Sequence, residues 1–182
     1  MVVLGLCGSL RRGSYNRRLL EAAAAELPPG VTLEVFEGLA EVPPYNDDDV
    51  APDVVRALRA AITEAGAVLV ATPEYNASVP GHLKNALDWA SRPFPDNSLR
   101  NKPVAVVGAS TGLFGAVWAQ AELRKVLRTI GAAVVDQELP VGQAHDAFAQ
   151  DGSLIDPDLR SVLTHLVGQL LSSARTRAEQ LI

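Results

Sequence analysis

A lone cysteine, Cys7, among 182 residues leaves no second thiol with which to close an intrachain disulfide. Such sparing use suits a reducing compartment, and the first apolar run, Val2 to Cys7, has no basic leader before it, so the expected location is the cytoplasm. Long apolar runs are missing as well. Nothing approaches the roughly 18 residues needed to cross a bilayer, so no membrane partner is expected. Basic residues are outnumbered, 16 against 21, and the net charge of −5 argues against general binding to nucleic acid or to anionic membranes. Metal ligands are absent at useful spacing: His82 stands without a partner, and Asp47-Asp48-Asp49 lacks the glycine-punctuated loop of a calcium site, which makes it a solvated turn. Aromatic residues are scarce, at 5% of the chain.

What is present is an apolar fraction of 48% on a chain long enough to bury a core without staples. Four short runs rich in Val, Leu and Ala read as buried strands: Val2 to Cys7, Val31 to Phe36, Ala67 to Ala71 and Val104 to Ala109. A weaker fifth falls between Ala132 and Leu139. Between them helical spacing runs over Arg17 to Leu27, Asp53 to Ala65, Pro80 to Ser91 and Gly115 to Ile130, and a last helix begins at Asp156-Pro157. Continuous rather than alternating apolar strands imply a parallel sheet covered on both faces. The expectation is an α/β, flavodoxin-like three-layer sandwich with five strands, built as a single domain over residues 1–182. In such a sheet the ligand lies beyond the carboxyl ends of the strands, which directs attention to the loops after Cys7, Ala71 and Ala109.

The first of these loops, Gly8-Ser9-Leu10-Arg11-Arg12-Gly13-Ser14-Tyr15-Asn16, gathers hydroxyls, guanidinium groups and backbone amides at a helix N-terminus, which suits a phosphate monoester. It matches neither the glycine pattern for a dinucleotide nor that for a nucleoside triphosphate. Arg17 and Arg18 in a first helical turn oppose the macrodipole, a cost that a bound dianion would offset. The second loop, Thr72 to Pro80, is stiffened by two prolines, offers backbone donors and acceptors to the edge of a flat heterocycle, and carries Tyr75 at its mouth. Lys84 and Asp88 read as a surface pair, Trp89 as core or subunit interface, and Cys7 as a small hydrophobe ending a strand.

These loops resemble the NADPH-dependent FMN reductase family, which includes quinone, chromate and azo-dye reductases of flavodoxin-like fold. The matching residues are Gly8-Ser9-Leu10-Arg11 with Gly13-Ser14-Tyr15-Asn16, and Pro73-Glu74-Tyr75-Asn76 continuing through Ser78-Val79-Pro80-Gly81 to Leu83-Lys84-Asn85-Ala86-Leu87-Asp88-Trp89. By that likeness Ser9, Arg11, Ser14, Tyr15 and Asn16 hold the FMN phosphate. Pro73, Glu74, Tyr75 and Asn76 border the isoalloxazine, and Ser110, Thr111 and Gly112 close its other side. The implied activity is ping-pong: hydride passes from NADPH or NADH to flavin N5, then to a quinone, chromate, an azo or nitro compound, or free flavin. No side-chain nucleophile is required, because the cofactor carries the chemistry. The implied partners are a small-molecule electron acceptor and further copies of the chain, as a homodimer or homotetramer whose boundary uses the helix with Trp89 and the fourth helix. After Gly115 the residues Ala116, Val117 and Trp118 are not matched, which leaves the acceptor pocket unassigned.

Two other functions fit parts of the sequence. A flavodoxin-type electron carrier without reductase activity of its own would share the fold, though it would be expected to be more acidic and richer in aromatics around the ring. Gly108-Ala109-Ser110-Thr111-Gly112 also fits the nucleophile elbow of a small serine hydrolase, with Asp136 and His145, or Asp156 and His165, in the right chain order. That reading has little scaffold after the elbow and leaves the arginine-rich first loop unused.

Overall fold

Burial on both faces explains why β1 (Val2–Cys7), β3 (Ala67–Thr72) and β4 (Pro103–Ala109) contain almost no polar residue: β3 and β4 are buried along their whole length. The computed structural model describes residues 1–180. In it these strands and β2 (Thr32–Val35) form a parallel sheet in the order β2-β1-β3-β4-β5, the flavodoxin-like order. Registers Cys7↔Ala71 and Thr72↔Gly108 bring the carboxyl ends of β1, β3 and β4 level at one edge. The three loops singled out above therefore share one rim.

Helices α1 (Tyr15–Ala25) and α5 (Pro157–Glu179) cover one face, where Leu19, Leu20, Leu163, Leu166 and Leu170 pack on alternate strand residues such as Val3, Leu69 and Val107. On the other face, α2 (Asp53–Glu64), α3 (Gly81–Ala90) and α4 (Val117–Ile130) bury Leu58, Ile62, Leu83, Leu87, Leu123 and Leu127 against Leu6, Val68, Val70 and Val106. A buried Leu contributes roughly 1.5–3 kcal/mol by leaving water. α5 begins where expected: the Asp156 carboxylate accepts from the N–H groups of Asp158 (2.8 Å) and Leu159 (3.4 Å), and Pro157 opens the first turn.

The fifth strand differs from its sequence reading. Instead of one strand over Ala132 to Leu139 there are two short pieces, β5 (Ala133–Val134) and β6 (Pro140–Val141), each pairing with β4. Between them Asp136 and Glu138 turn to Arg128 and Arg124 on α4, and the Leu139 N–H donates to the buried Gln120 side chain. Side-chain pairing with the neighbouring helix thus interrupts the ladder. α1 also begins two residues earlier than its periodicity suggests, because Ser14 accepts from the Arg17 N–H (3.2 Å) and caps it.

At the opposite edge of the sheet Lys102 is 1% exposed, an unusual place for an ammonium group. It donates to the carbonyls of Thr63 (3.1 Å) and Ala65 (2.5 Å) at the end of α2. Burial, with Arg177 nearby, pushes its pKa down to about 8.

Candidate functional site

Tight packing starts the first loop. Gly8 donates to the Ala71 carbonyl (2.7 Å), and a Cβ there would meet the Leu83 side chain at 2.8 Å, so only glycine lets β1 leave the sheet this close to α3. The chain then runs from Ser9 to Asn16 without a single backbone N–H finding an acceptor among the described residues. Backbone amides are obligatory donors, and Ser9, Ser14 and Asn16 are buried, so eight consecutive unpaired amides ending at a helix N-terminus form a concavity for an anion. A cavity of about 440 Å³ opens beside it, lined by Ser9, Arg11, Arg12, Ser14 and Arg17 among others.

The four arginines of this region separate into two pairs. Arg17 donates to Glu37 (2.6 Å) and approaches Glu21 (3.6 Å); this contact raises the guanidinium pKa and holds the Glu37 carboxyl below its usual range. Arg18 donates to the Ala149 carbonyl (3.3 Å) and lies 4.7 Å from the centre of the Phe148 ring. The macrodipole cost in the first turn is thus partly offset from within the chain, and these two residues are committed. Arg11 and Arg12 are exposed and have no ionic partner among the described residues.

The expected phosphate ligands divide in the same way. Ser9 and Ser14 line the cavity. Asn16 requires a correction: its amide donates to the Ala109 carbonyl (2.9 Å) and accepts from the Ala109 N–H (3.0 Å), clipping α1 to the end of β4. Both ends of its side chain are used, so it can offer an anion only its backbone N–H. The Tyr15 ring stacks on Phe148, with centroids 6.4 Å apart, and likewise leaves only the N–H.

The loop after β3 closes on itself as a two-residue hairpin turn. Tyr75 and Ser78 exchange backbone hydrogen bonds of 3.1 Å, with Asn76 at φ 54° and Ala77 at φ 59° between them. A left-handed Ala costs roughly 1–2 kcal/mol, and reciprocal carboxylates from outside the loop oppose that strain. Glu74 accepts from the N–H groups of Trp118 and Ala119 (3.0 Å each), capping α4, while Glu122 on α4 accepts from the Ser78 hydroxyl (2.7 Å) and the Val79 N–H (3.4 Å). Glu74 is therefore a second correction: its carboxylate is a strut between loops, and only its main chain is left to border a flat ligand. Pro73 is buried beside it, Tyr75 is 45% exposed at the mouth, and Asn76 is exposed on the turn.

After β4, Ser110 donates its N–H to Val141 (3.0 Å) and its carbonyl accepts from Ala144 (3.0 Å), while the Gly112 carbonyl accepts from Gln143 (2.9 Å). Thr111 and Gly112 are exposed. The Ser110 hydroxyl accepts from the Gly112 N–H (3.1 Å), and Ser110 has no positive φ, so the strained turn of a nucleophile elbow is missing. The supposed triad partners are engaged elsewhere. His145 pairs with Asp146, Asp136 with Arg128, Asp156 caps α5, and His165 contacts Gln169. The hydrolase reading falls.

Sequence reasoning missed Glu122, which looks like one more surface acid on a helix, and Gln120, whose buried amide holds the Gly115 carbonyl (2.9 Å) and the Leu139 N–H (3.3 Å). His82 lies against the Gly8 carbonyl, and burial lowers its pKa, favouring the neutral ring. Lys84 and Asp88 pair at 2.7 Å on the surface as expected. Trp89 is core: it is 2% exposed, donates to the Pro43 carbonyl (2.9 Å) and meets Tyr45 edge-on. No group of three metal-ligating side chains occurs among the described residues, and no described helix is long and apolar enough to cross a membrane.

Comparison with known proteins matches this rim to a family. The model of the NADPH-dependent FMN reductases matches residues 1–146. An NAD(P)H-dependent FMN reductase of Pseudomonas aeruginosa is 42% identical over 165 residues, 88% of each chain. A quinone reductase of Escherichia coli is 37% identical over 174 residues, covering 92% of this chain and 90% of that one. The solved structure of a flavoenzyme NAD(P)H:(acceptor) oxidoreductase from Paracoccus denitrificans superposes with a TM-score of 0.85 at 36% identity, covering 96% of this chain and 97% of that one.

Proposed function

The chain belongs to the NADPH-dependent FMN reductase family, and from that premise we propose that it binds FMN with the phosphate in the Ser9–Asn16 cradle and the ring across the loops after β3 and β4. One observation carries the placement: eight successive amides without an acceptor, beside two arginines without an ionic partner, form a donor set suited to a doubly charged monoester. The protein is an NAD(P)H-dependent oxidoreductase. In the net reaction with a quinone, NAD(P)H gives up a hydride and becomes NAD(P)⁺, while the quinone takes up two electrons and two protons and becomes a hydroquinone. Bound FMN supplies the hydride relay between the two substrates.

The chain's own residues bind and orient. Ser9, Ser14 and Arg11 fix the phosphate end, with the amides of Tyr15 and Asn16 at the positive end of α1. Pro73, the main chain of Glu74, Tyr75 and Asn76 hold one border of the ring, and Ser110, Thr111 and Gly112 the other. The Glu74 and Glu122 struts keep these two borders in register. Nicotinamide and acceptor use the open face in turn, which gives ping-pong kinetics. Residues 1–182 act as one domain. Assembly as a homodimer or homotetramer and a cytoplasmic location complete the reading, supported by the family likeness and by the single buried thiol.

The test is calorimetric titration of the purified protein with FMN, followed by NAD(P)H consumption with a quinone. Saturable binding and sustained turnover are expected. A carrier of the flavodoxin type would bind but consume almost no NAD(P)H without a separate reductase, and absence of any complex would remove the cofactor from this site.

A further inference from the structure

The segment of the site rim left unmatched by family resemblance, Leu113 to Trp118, presents large apolar side chains to solvent: Leu113 is 69% exposed, Phe114 59% and Trp118 51%. The two rings touch, with centroids 5.2 Å apart at 67° in an edge-to-face arrangement. Their backbone is held on every side. Gly115 and Ala116 both adopt left-handed conformations (φ 57° and 61°), and the Gly115 carbonyl accepts from the Gln120 amide at 2.9 Å. The Gly112 carbonyl accepts from Gln143, and the Trp118 N–H is bound by Glu74. A left-handed Ala stores strain, and exposed aromatic surface forgoes burial, so the fold bears two costs to keep this pair at the rim.

We infer that Phe114 and Trp118 determine acceptor specificity, forming an apolar wall that selects fused-ring planar acceptors over compact inorganic anions; this rests on the oxidoreductase reading above. Three observations favour a small aromatic molecule as the occupant. The pair continues the loop that begins with Ser110, Thr111 and Gly112, so it borders the site itself. Trp118 is tied through Glu74 to the loop carrying Tyr75, which adds a third ring to the same mouth. The charged groups hydrogen-bonded to this side are carboxylates, Glu74 and Glu122, whereas the unpaired arginines Arg11 and Arg12 belong to the phosphate end. An oxyanion acceptor would meet no cation at the aromatic pair, and a flat apolar ring would meet a preformed partner.

The experiment uses the FMN-loaded protein and the variants Phe114→Ala, Trp118→Ala and Trp118→Phe. Calorimetric titration with 2-methyl-1,4-naphthoquinone, without nicotinamide nucleotide, measures binding independently of turnover. Each alanine variant should raise the Kd about tenfold, and Trp118→Phe should recover most of the loss. In steady state the ratio of kcat/KM for the naphthoquinone to that for ferricyanide should fall by a similar factor. Unchanged naphthoquinone affinity, or an equal loss with both acceptors, overturns the assignment. It is also overturned if the variants change only the mass measured by light scattering, which would make the pair a contact between copies. If wild-type protein neither holds FMN nor oxidises NAD(P)H with either acceptor, the underlying function fails instead, and the binding titration still reports on the wall.

Discussion

Arg11 and Asn16 lie five positions apart in one loop and answer to different physics. Arg11 points into solvent with no ionic partner among the described residues, so Arg11→Ala should leave stability nearly unchanged and weaken FMN roughly tenfold to a hundredfold, the worth of one charge-assisted bond, in a fluorescence titration. Asn16→Ala strips both partners from the buried Ala109 peptide group, and should lower unfolding free energy by about 1–3 kcal/mol in a denaturant melt. If Asn16→Ala were neutral in that melt, the clip between α1 and β4 would carry no weight. Lys102 gives a pH signature. Its folded pKa of about 8 is below the ordinary value of 10.5, so across that interval the unfolded chain binds a proton that the native chain lacks. Stability contributed by this group therefore rises from about pH 8 to about 10.5, and its burial penalty is fully felt below about pH 8. Lys102→Met should remove that rise from denaturation curves collected across the interval; an identical pH slope in the variant would clear Lys102 of the effect.

Among the elements, the loop between β4 and α4 depends most on its neighbours. A Cβ on Gly142 would overlap the Leu113 carbonyl oxygen, because the segment after β6 passes directly over the loop. The obstacle is backbone, which cannot rotate aside, so Gly142→Ala should cost on the order of 1–3 kcal/mol, as overpacking does. It should also slow turnover with quinones by displacing the aromatic pair. A denaturation midpoint equal to wild type would mean that the loop yields freely and is no rigid platform. The hairpin turn after β3 has a comparable dependence: it holds two consecutive non-glycine residues at positive φ, and carboxylates from two elements hold it in place.

Taken as a whole, the sheet is most secure at its centre. β3 lies between β1 and β4 with both faces covered, whereas β2 alternates exposed and half-buried residues at one edge and the β5–β6 edge is broken in two. Native-state hydrogen exchange should therefore find the slowest amides in β3 and β4 and faster ones in β2 and β5; equal protection at the edges would contradict this ordering. The alternation of buried strands and amphipathic helices was readable without coordinates, because burial on both faces demands unbroken runs such as Ala67 to Thr72 and helices demand their own period. The donor-rich first loop was readable for a similar reason, since its residue types are chemically unusual in so short a stretch. The division of labour within it was not. Whether Arg17 or Arg11 is free depends on Glu37, twenty positions beyond Arg17, and whether Asn16 faces a ligand or Ala109 depends on a strand ninety-three positions away. The same holds for Glu74 and Glu122, which read as surface acids until α4 is set beside the loop after β3. Amino-acid order decided which elements form and where a ligand rim must lie, because periodicity and local chemistry are properties of neighbours in sequence. Tertiary structure alone decided which polar groups remain available there, because a hydrogen-bonding group is spent or free according to what the fold brings against it.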